Sequence, residues 1–325
     1  MDDSVIETII KCFATSILLV DLLGIFGNVN LIVATVLFKQ LRMNKCSLLI
    51  GLIAVCDLIS TAFGIQAFIY DMVHKHDLLL YRNECFDKIW MFVFISCFET
   101  FLMFFLALDR LLAIAAPIFY QNLRAYKYFP IIGVPGILFG TAIVVLEFTV
   151  NDGMDQIQFC LPPTSLRLDI QAIYALCITV INCSTVVVYV IIGILIWRKT
   201  SSSFDTLLQT QIKVTKTIAF IVLFFILTWL AAHLISFIAN VIFQGNMRRC
   251  LIHLLSMLPI HLNYAMNFYI YLWRNDTYRK LFIYQIKFVF NKIFCGMCCS
   301  VSAGKWAQET TTVSTRVQRI SNENL

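Results

Sequence analysis

Seven runs of 23 to 28 residues, each nearly free of charge, dominate the chain: Cys12–Phe38, Cys46–Met72, Ile89–Ala116, Tyr128–Val150, Ile170–Trp197, Ile218–Phe243 and Leu251–Trp273. A helix needs about 20 apolar residues to cross a bilayer, so every run is long enough to span one. Hydrophobic residues make up 60% of the sequence and charged ones 14%, against about 25% charged in a soluble domain. Seven spans use most of the 325 residues and leave short loops and tails, which excludes a membrane-anchored enzyme with a separate globular catalytic domain. The runs are continuous and lack the ten-residue alternation of an outer-membrane barrel, and helices then remain as the way to satisfy the backbone in lipid. The expected fold is an all-α polytopic bundle: an N-terminal tail over 1–11, seven transmembrane helices over 12–273, an amphipathic segment over 274–294 and a tail over 295–325.

An odd number of spans puts the two termini on opposite sides, and the basic residues decide which is cytosolic. With the N-terminus outside, 18 of the 25 Lys and Arg residues fall on inner segments and 7 remain outside. The formal net charge of +6 is therefore a topology signal, matched to anionic membrane lipid and not to nucleic acid. No basic segment precedes the first span, so the first helix is expected to act as its own insertion signal. Of the twelve cysteines, Cys85, Cys160 and Cys250 fall on the oxidising side. Cys85 and Cys160 can pair and tie the loop after the fourth span over the bundle mouth. Cys250 is either a free thiol or a partner for Cys12.

Polar groups inside a span cost free energy, so each one points to a site with a partner. In the third span Phe92, Ser96, Glu99, Met103 and Arg110 recur at helical spacing, which places Glu99 and Arg110 on one face. Asp57 lies in mid-span, Asn28 follows Gly27 in the first span, and Asn263 and Asn267 stand one turn apart in the seventh. Together they predict a polar, hydrated centre.

The string Asp109-Arg110-Leu111-Leu112-Ala113-Ile114, with Pro117 beyond it, resembles the DRY motif and second inner loop of the rhodopsin-like G-protein-coupled receptors. Cys85 stands 25 residues before Arg110, the family's usual separation between its disulfide cysteine and that arginine. Phe225-Ile226-Leu227-Thr228-Trp229 resembles the sixth-helix toggle motif, with Ala231 where a kinking proline is usual, and Asn267-Phe268-Tyr269-Ile270-Tyr271 resembles NPxxY with phenylalanine in the proline position. The strings Lys39 to Cys46, Ala107 to Leu112 and Tyr271 to Arg279 look most like the nematode serpentine chemoreceptors of class SX.

The resemblance implies an activation switch in which Asp109 restrains Arg110 and Tyr271 stabilises the open arrangement with Tyr189. Trp229 would lie at the floor of a ligand pocket formed by Phe92, Ser96, Ala232, His233, Ser236, His253, Met257 and His261. Pro117, Ile118, Lys213 and Lys216 would face a heterotrimeric G protein. Phe92 stands where amine receptors carry a carboxylate, and the seventh span has no lysine for a Schiff base, so a biogenic amine and retinal are both disfavoured. A small molecule or short peptide remains as ligand.

Glu99 replaces the small polar residue usual beside the second-helix aspartate, where the family holds sodium and water. Two carboxylates about 4 Å apart repel by on the order of 4 kcal/mol at an effective dielectric of about 20, which predicts a shared proton or a bound sodium ion. No other cofactor is expected. Thr277 to Phe294 reads as an interfacial amphipathic helix. Cys295, Cys298 and Cys299 behind it are palmitoylation candidates. The tail from Thr310 offers hydroxyls for a receptor kinase and an arrestin. The alternative function is a seven-span ligand-gated channel or transporter that uses Asp21, Asp57, Glu99 and Glu147. No HExxH, GxSxG or GxxxxGK motif suggests an enzyme.

Overall fold

The computed structural model describes residues 3–74, 80–123, 125–150, 156–157, 160, 165–200, 206–242 and 246–295. Seven long helices carry the apolar runs: α1 (Asp3–Leu37), α3 (Lys45–His74), α4 (Arg82–Ala115), α6 (Ala125–Val150), α7 (Leu168–Thr200), α8 (Thr206–Ile242) and α9 (Asn246–Arg274). Two short turns join them at one end, α2 (Lys39–Arg42) and α5 (Pro117–Asn122), and α10 (Asp276–Cys295) follows α9. A two-residue strand β1 (Leu80–Tyr81) pairs antiparallel with β2 (Gln156–Ile157) at the other end, with Leu80 opposite Ile157.

Among the described residues, five of the helices contain a stretch long and apolar enough to cross a membrane: Lys11–Leu37, Lys45–Ile69, Arg82–Ala115, Pro130–Val150 and Asp169–Arg198. The helices overshoot the apolar runs. The first begins at Asp3 and not at Cys12, so most of the expected 1–11 tail is helical. The fourth long helix tolerates Pro130 and Pro135, and α9 tolerates Pro259. Helix α8 contains no proline, as the alanine at 231 led one to expect.

Helix α4 is the axis of the bundle and packs against α3, α6, α7 and α8, while α1 packs against α3 and α9. The main core joins Leu31, Phe38, Leu49, Leu102, Leu106, Ile218, Phe268 and Phe282. Large apolar side chains also face outward, including Leu138, Leu176 and Val187, a pattern suited to lipid and not to water. Phe268, in the position where a proline was usual, is 1% exposed and packs on Phe26, Tyr269 and Phe282.

Small residues let α1 and α9 approach closely, as they do in membrane helices generally. A Cβ at Gly27 would stand 2.8 Å from Phe268 Cβ, and one at Gly24 would meet Ala265 at 3.4 Å. Overpacking of this kind costs about 1–3 kcal/mol. Gly27→Val is therefore expected to lower the apparent Tm in detergent micelles, while Gly133→Val, where a Cβ meets nothing within 4 Å, leaves it in place. A Gly27→Val protein that melts with the wild type would contradict this packing.

Candidate functional site

The polar groups fall into layers along the bundle. Arg110 stands 25 residues from Cys85 on α4, about 37 Å along a helix axis, so the two mark opposite ends.

At the Cys85 end, Cys85 and Cys160 form a disulfide with Cα atoms 5.3 Å apart. This is the pairing the sequence suggested, and it clamps the loop after α6 onto α4 beside the β1–β2 pair. Cys12 is a free, exposed thiol. Below the loop, both oxygens of the buried Glu147 carboxylate accept from the backbone N–H of Arg167 at 3.0 Å, and Arg82 donates to the Leu166 carbonyl at 2.5 Å. Glu147 thus anchors backbone at the start of α7.

Deeper in the bundle, Ser96 lies close to Tyr174 of α7 and Tyr264 of α9. Phe92 meets Phe63 and Tyr264 edge-on. Met257 is buried about two turns before Tyr264 on α9. His261, expected in the same pocket, has its ring edge-on to Tyr264 and its Nδ1 2.7 Å from Asp21 Oδ1 on α1. The side chains of Trp229, His233, Ser236 and His253 lie outside the described residues, as do those of Lys213 and Cys295 and the whole of Cys298 and Cys299.

At mid-depth Asp57 and Glu99 are buried and close enough to interact electrostatically. Asn267 donates to Asp57 Oδ2 at 2.7 Å. Both Glu99 oxygens and Asp57 Oδ1 have no hydrogen-bond partner among the described residues. Asn28 points elsewhere and donates to the Tyr264 carbonyl at 2.9 Å, while Asn263 is buried one turn before Asn267. Of the four acids proposed for a conduction path, Asp57 and Glu99 face each other, while Asp21 meets His261 and Glu147 meets backbone.

At the Arg110 end the guanidinium is 2% exposed. Arg110 Nε donates to Asp109 Oδ2 at 2.8 Å, and Nη2 donates to the same oxygen and to the Tyr120 hydroxyl at 3.0 Å. Tyr120 in turn donates to Asp109 Oδ1 at 2.9 Å, and Tyr128 of α6 donates to that oxygen too. Burial pushes the Tyr120 phenol above the ordinary tyrosine range, against the opposing pull of Arg110, so it remains a proton donor. Lys45 fixes the loop that carries Tyr120: its Nζ donates to the Tyr120 and Leu123 carbonyls and lies 4.1 Å from the Tyr120 ring centroid.

Tyr271 is buried, packs on Tyr278 with ring centroids 4.8 Å apart, and lies near Tyr189. Next to the cluster, Pro117 opens α5, and Ile118 is 75% exposed. Sequence reasoning found Asp109 and Arg110 but missed Tyr120, Tyr128 and Lys45, which come from other elements and follow no local pattern. It also missed Tyr174 and Tyr264.

This arrangement buries a charged pair whose arginine donates to one carboxylate and one phenol, and whose carboxylate accepts from two phenols, next to an exposed apolar loop. Such a pair can exist in two states, closed here or opened by a movement of the helices that cover it. No curated protein matches the chain. The family described as serpentine type 7TM GPCR chemoreceptor Srsx matches residues 21–286. The chain is a multi-pass membrane protein, and it belongs to that family of seven-transmembrane chemoreceptors.

Proposed function

We propose that the protein is a chemosensory receptor that binds a small molecule or short peptide from outside the cell and activates a heterotrimeric G protein within it. The N-terminus and the Cys85 end face outward and the Arg110 end faces the cytosol, as the distribution of basic residues favours. The ligand binds beside Ser96, Tyr174 and Tyr264, with Phe92 as an apolar neighbour, and the three hydroxyls suit a hydrogen-bonding ligand.

The observation that carries this reading is the buried Asp109–Arg110 pair with its two tyrosines. A ligand shifts an equilibrium only by binding one state better than the other, so a switch needs contacts that exist in one state alone. In the closed state Arg110 donates to Asp109 and Tyr120. In the open state it turns to the G protein, and Tyr271, with Tyr189, holds the vacated space. Pro117 and Ile118 form the docking knob, joined by Lys216 on α8. After activation, a receptor kinase and an arrestin act on the tail, and lipid and palmitate hold α10 to the membrane.

The three unpartnered oxygens of Asp57 and Glu99 fit either a proton shared between the carboxyls or a sodium ion, which prefers oxygen donors. Sodium would supply a positive charge between them, with Asp57 and Glu99 as its ligands. Among the described residues, no group of three His, Cys, Asp or Glu side chains is arranged to hold a metal.

Two measurements test the reading. Arg110→Ala should reach the cell surface in wild-type amounts and lose agonist-driven G-protein turnover down to background; normal turnover would refute the role of Arg110. Glu99→Ser should shift the sodium or the proton dependence of signalling away from that of the wild type. Sodium and pH series that superimpose for the two proteins would remove the shared-proton or sodium site.

A further inference from the structure

A second buried ionisable pair, outside the switch described above, joins the first and seventh spanning helices. His261 Nδ1 lies within hydrogen-bonding distance of Asp21 Oδ1, at 2.7 Å, across 240 residues of sequence. Asp21 is fully buried, and the His261 side chain is 10% exposed. The second spanning helix closes over the pair at Gly64, where a Cβ would stand 2.2 Å from Asp21 Oδ2 and 2.5 Å from His261 Cε1. A side chain of any size is excluded there, so three helices are shaped around this contact. Among the described residues, Asp21 Oδ2 has no hydrogen-bond partner. The imidazole is thus the carboxylate's one described polar contact, and the balance of the pair depends on its charge.

We infer that Asp21 and His261 form a proton site, filled from the outer solution, that latches the first spanning helix to the seventh. When the imidazole takes a proton on Nε2, it becomes an imidazolium and the pair is a neutral ion pair. When that proton leaves to water, one hydrogen bond remains and a net negative charge is left enclosed in apolar surroundings. The protonated pair holds α1 and α9 together more firmly. The latch rests on the receptor reading in one respect: Asn267 and Tyr271 lie on the same helix, six and ten residues beyond His261, so its tightness biases their movement.

Among the described residues, other titratable groups near the pair are few. On α9, the Tyr264 ring meets the imidazole edge-on with centroids 6.1 Å apart. On α3, Asp57 stands about two turns beyond Gly64 and faces Asn267 and Glu99 of α4. On α1, Lys11 stands ten residues outward, about 15 Å along the helix. Asp71 and His74 of α3, and Arg248, Arg249 and His253 of α9, occupy the same ends, with side chains outside the described residues.

The test uses the full-length protein in two formats. In micelles, apparent Tm is followed from about pH 5 to about pH 8, the range in which an ordinary imidazole changes charge. The wild type should exceed His261→Gln by several degrees at the acid end, and the gap should close toward the alkaline end. Glutamine preserves a hydrogen bond to Asp21 but takes no proton. His74→Gln and His253→Gln should keep the wild-type slope. In cells, ligand-independent G-protein signal per surface receptor should rise at least twofold as the outer solution is made alkaline, and the rise should vanish in His261→Gln and in Asp21→Asn.

A gap in Tm that does not change with pH, or a slope that follows His74 or His253 instead, overturns the proton site. A pH-dependent gap without any change in cellular signal overturns the coupling to activation. If Arg110→Ala signals like the wild type, the receptor reading fails separately, and the Tm series still decides the proton site.

Discussion

A guanidinium that is 2% exposed inside an apolar bundle demands compensation, because a buried charge left without a partner costs several kcal/mol. Arg110 obtains it from the adjacent Asp109, and Asp109 in turn from Tyr120 and Tyr128. That requirement fixes more than a side chain. It places the loop after α4 under the bundle, it recruits Lys45 of α3 to hold the loop's carbonyls, and it presents Ile118 beside the cluster. Four elements thus converge on one ion pair, and each would have to adjust for the pair to open.

The same rule governs the remaining polar groups. Glu147 satisfies the backbone of Arg167 where α7 begins, Asp21 holds His261, and Asp57 holds Asn267. Helix α9 receives two of these contacts and also carries Tyr271, so it links the pocket region to the arginine end. Its close approach to α1 through Gly24 and Gly27 leaves little room for sliding without repacking Phe268. A densely packed interface of this type favours discrete arrangements over continuous deformation, which is what a switch requires.

Much of the fold was legible in the sequence because membrane spans are written in apolar length, and the third-span stripe because a helix repeats every 3.6 residues. Glu99 and Arg110 were placed on the buried face by that period alone, and Cys85 and Cys160 were brought together by the side of the membrane on which they fall. Helix ends were less legible: α1 runs back to Asp3 because a polar turn can continue a helix that no apolar pattern marks. Tyr120 and Tyr128 carried no signal, since a phenol in a loop or at a helix start resembles any interfacial tyrosine. The partner of His261, Asp21, stands 240 residues away and follows no local pattern. Glu147 bonds a backbone N–H, which leaves no complementary side chain to read.

The central claim is that Asp109, Tyr120 and Tyr128 restrain Arg110 in the resting receptor. Ligand-independent nucleotide exchange on a G protein, measured for the Tyr120→Phe/Tyr128→Phe double variant reconstituted in lipid discs, tests it most directly. Removing both hydroxyls leaves the rings and the packing in place, so the account predicts exchange several-fold above the wild type. Exchange equal to or below that of the wild type, at equal receptor density, would contradict it.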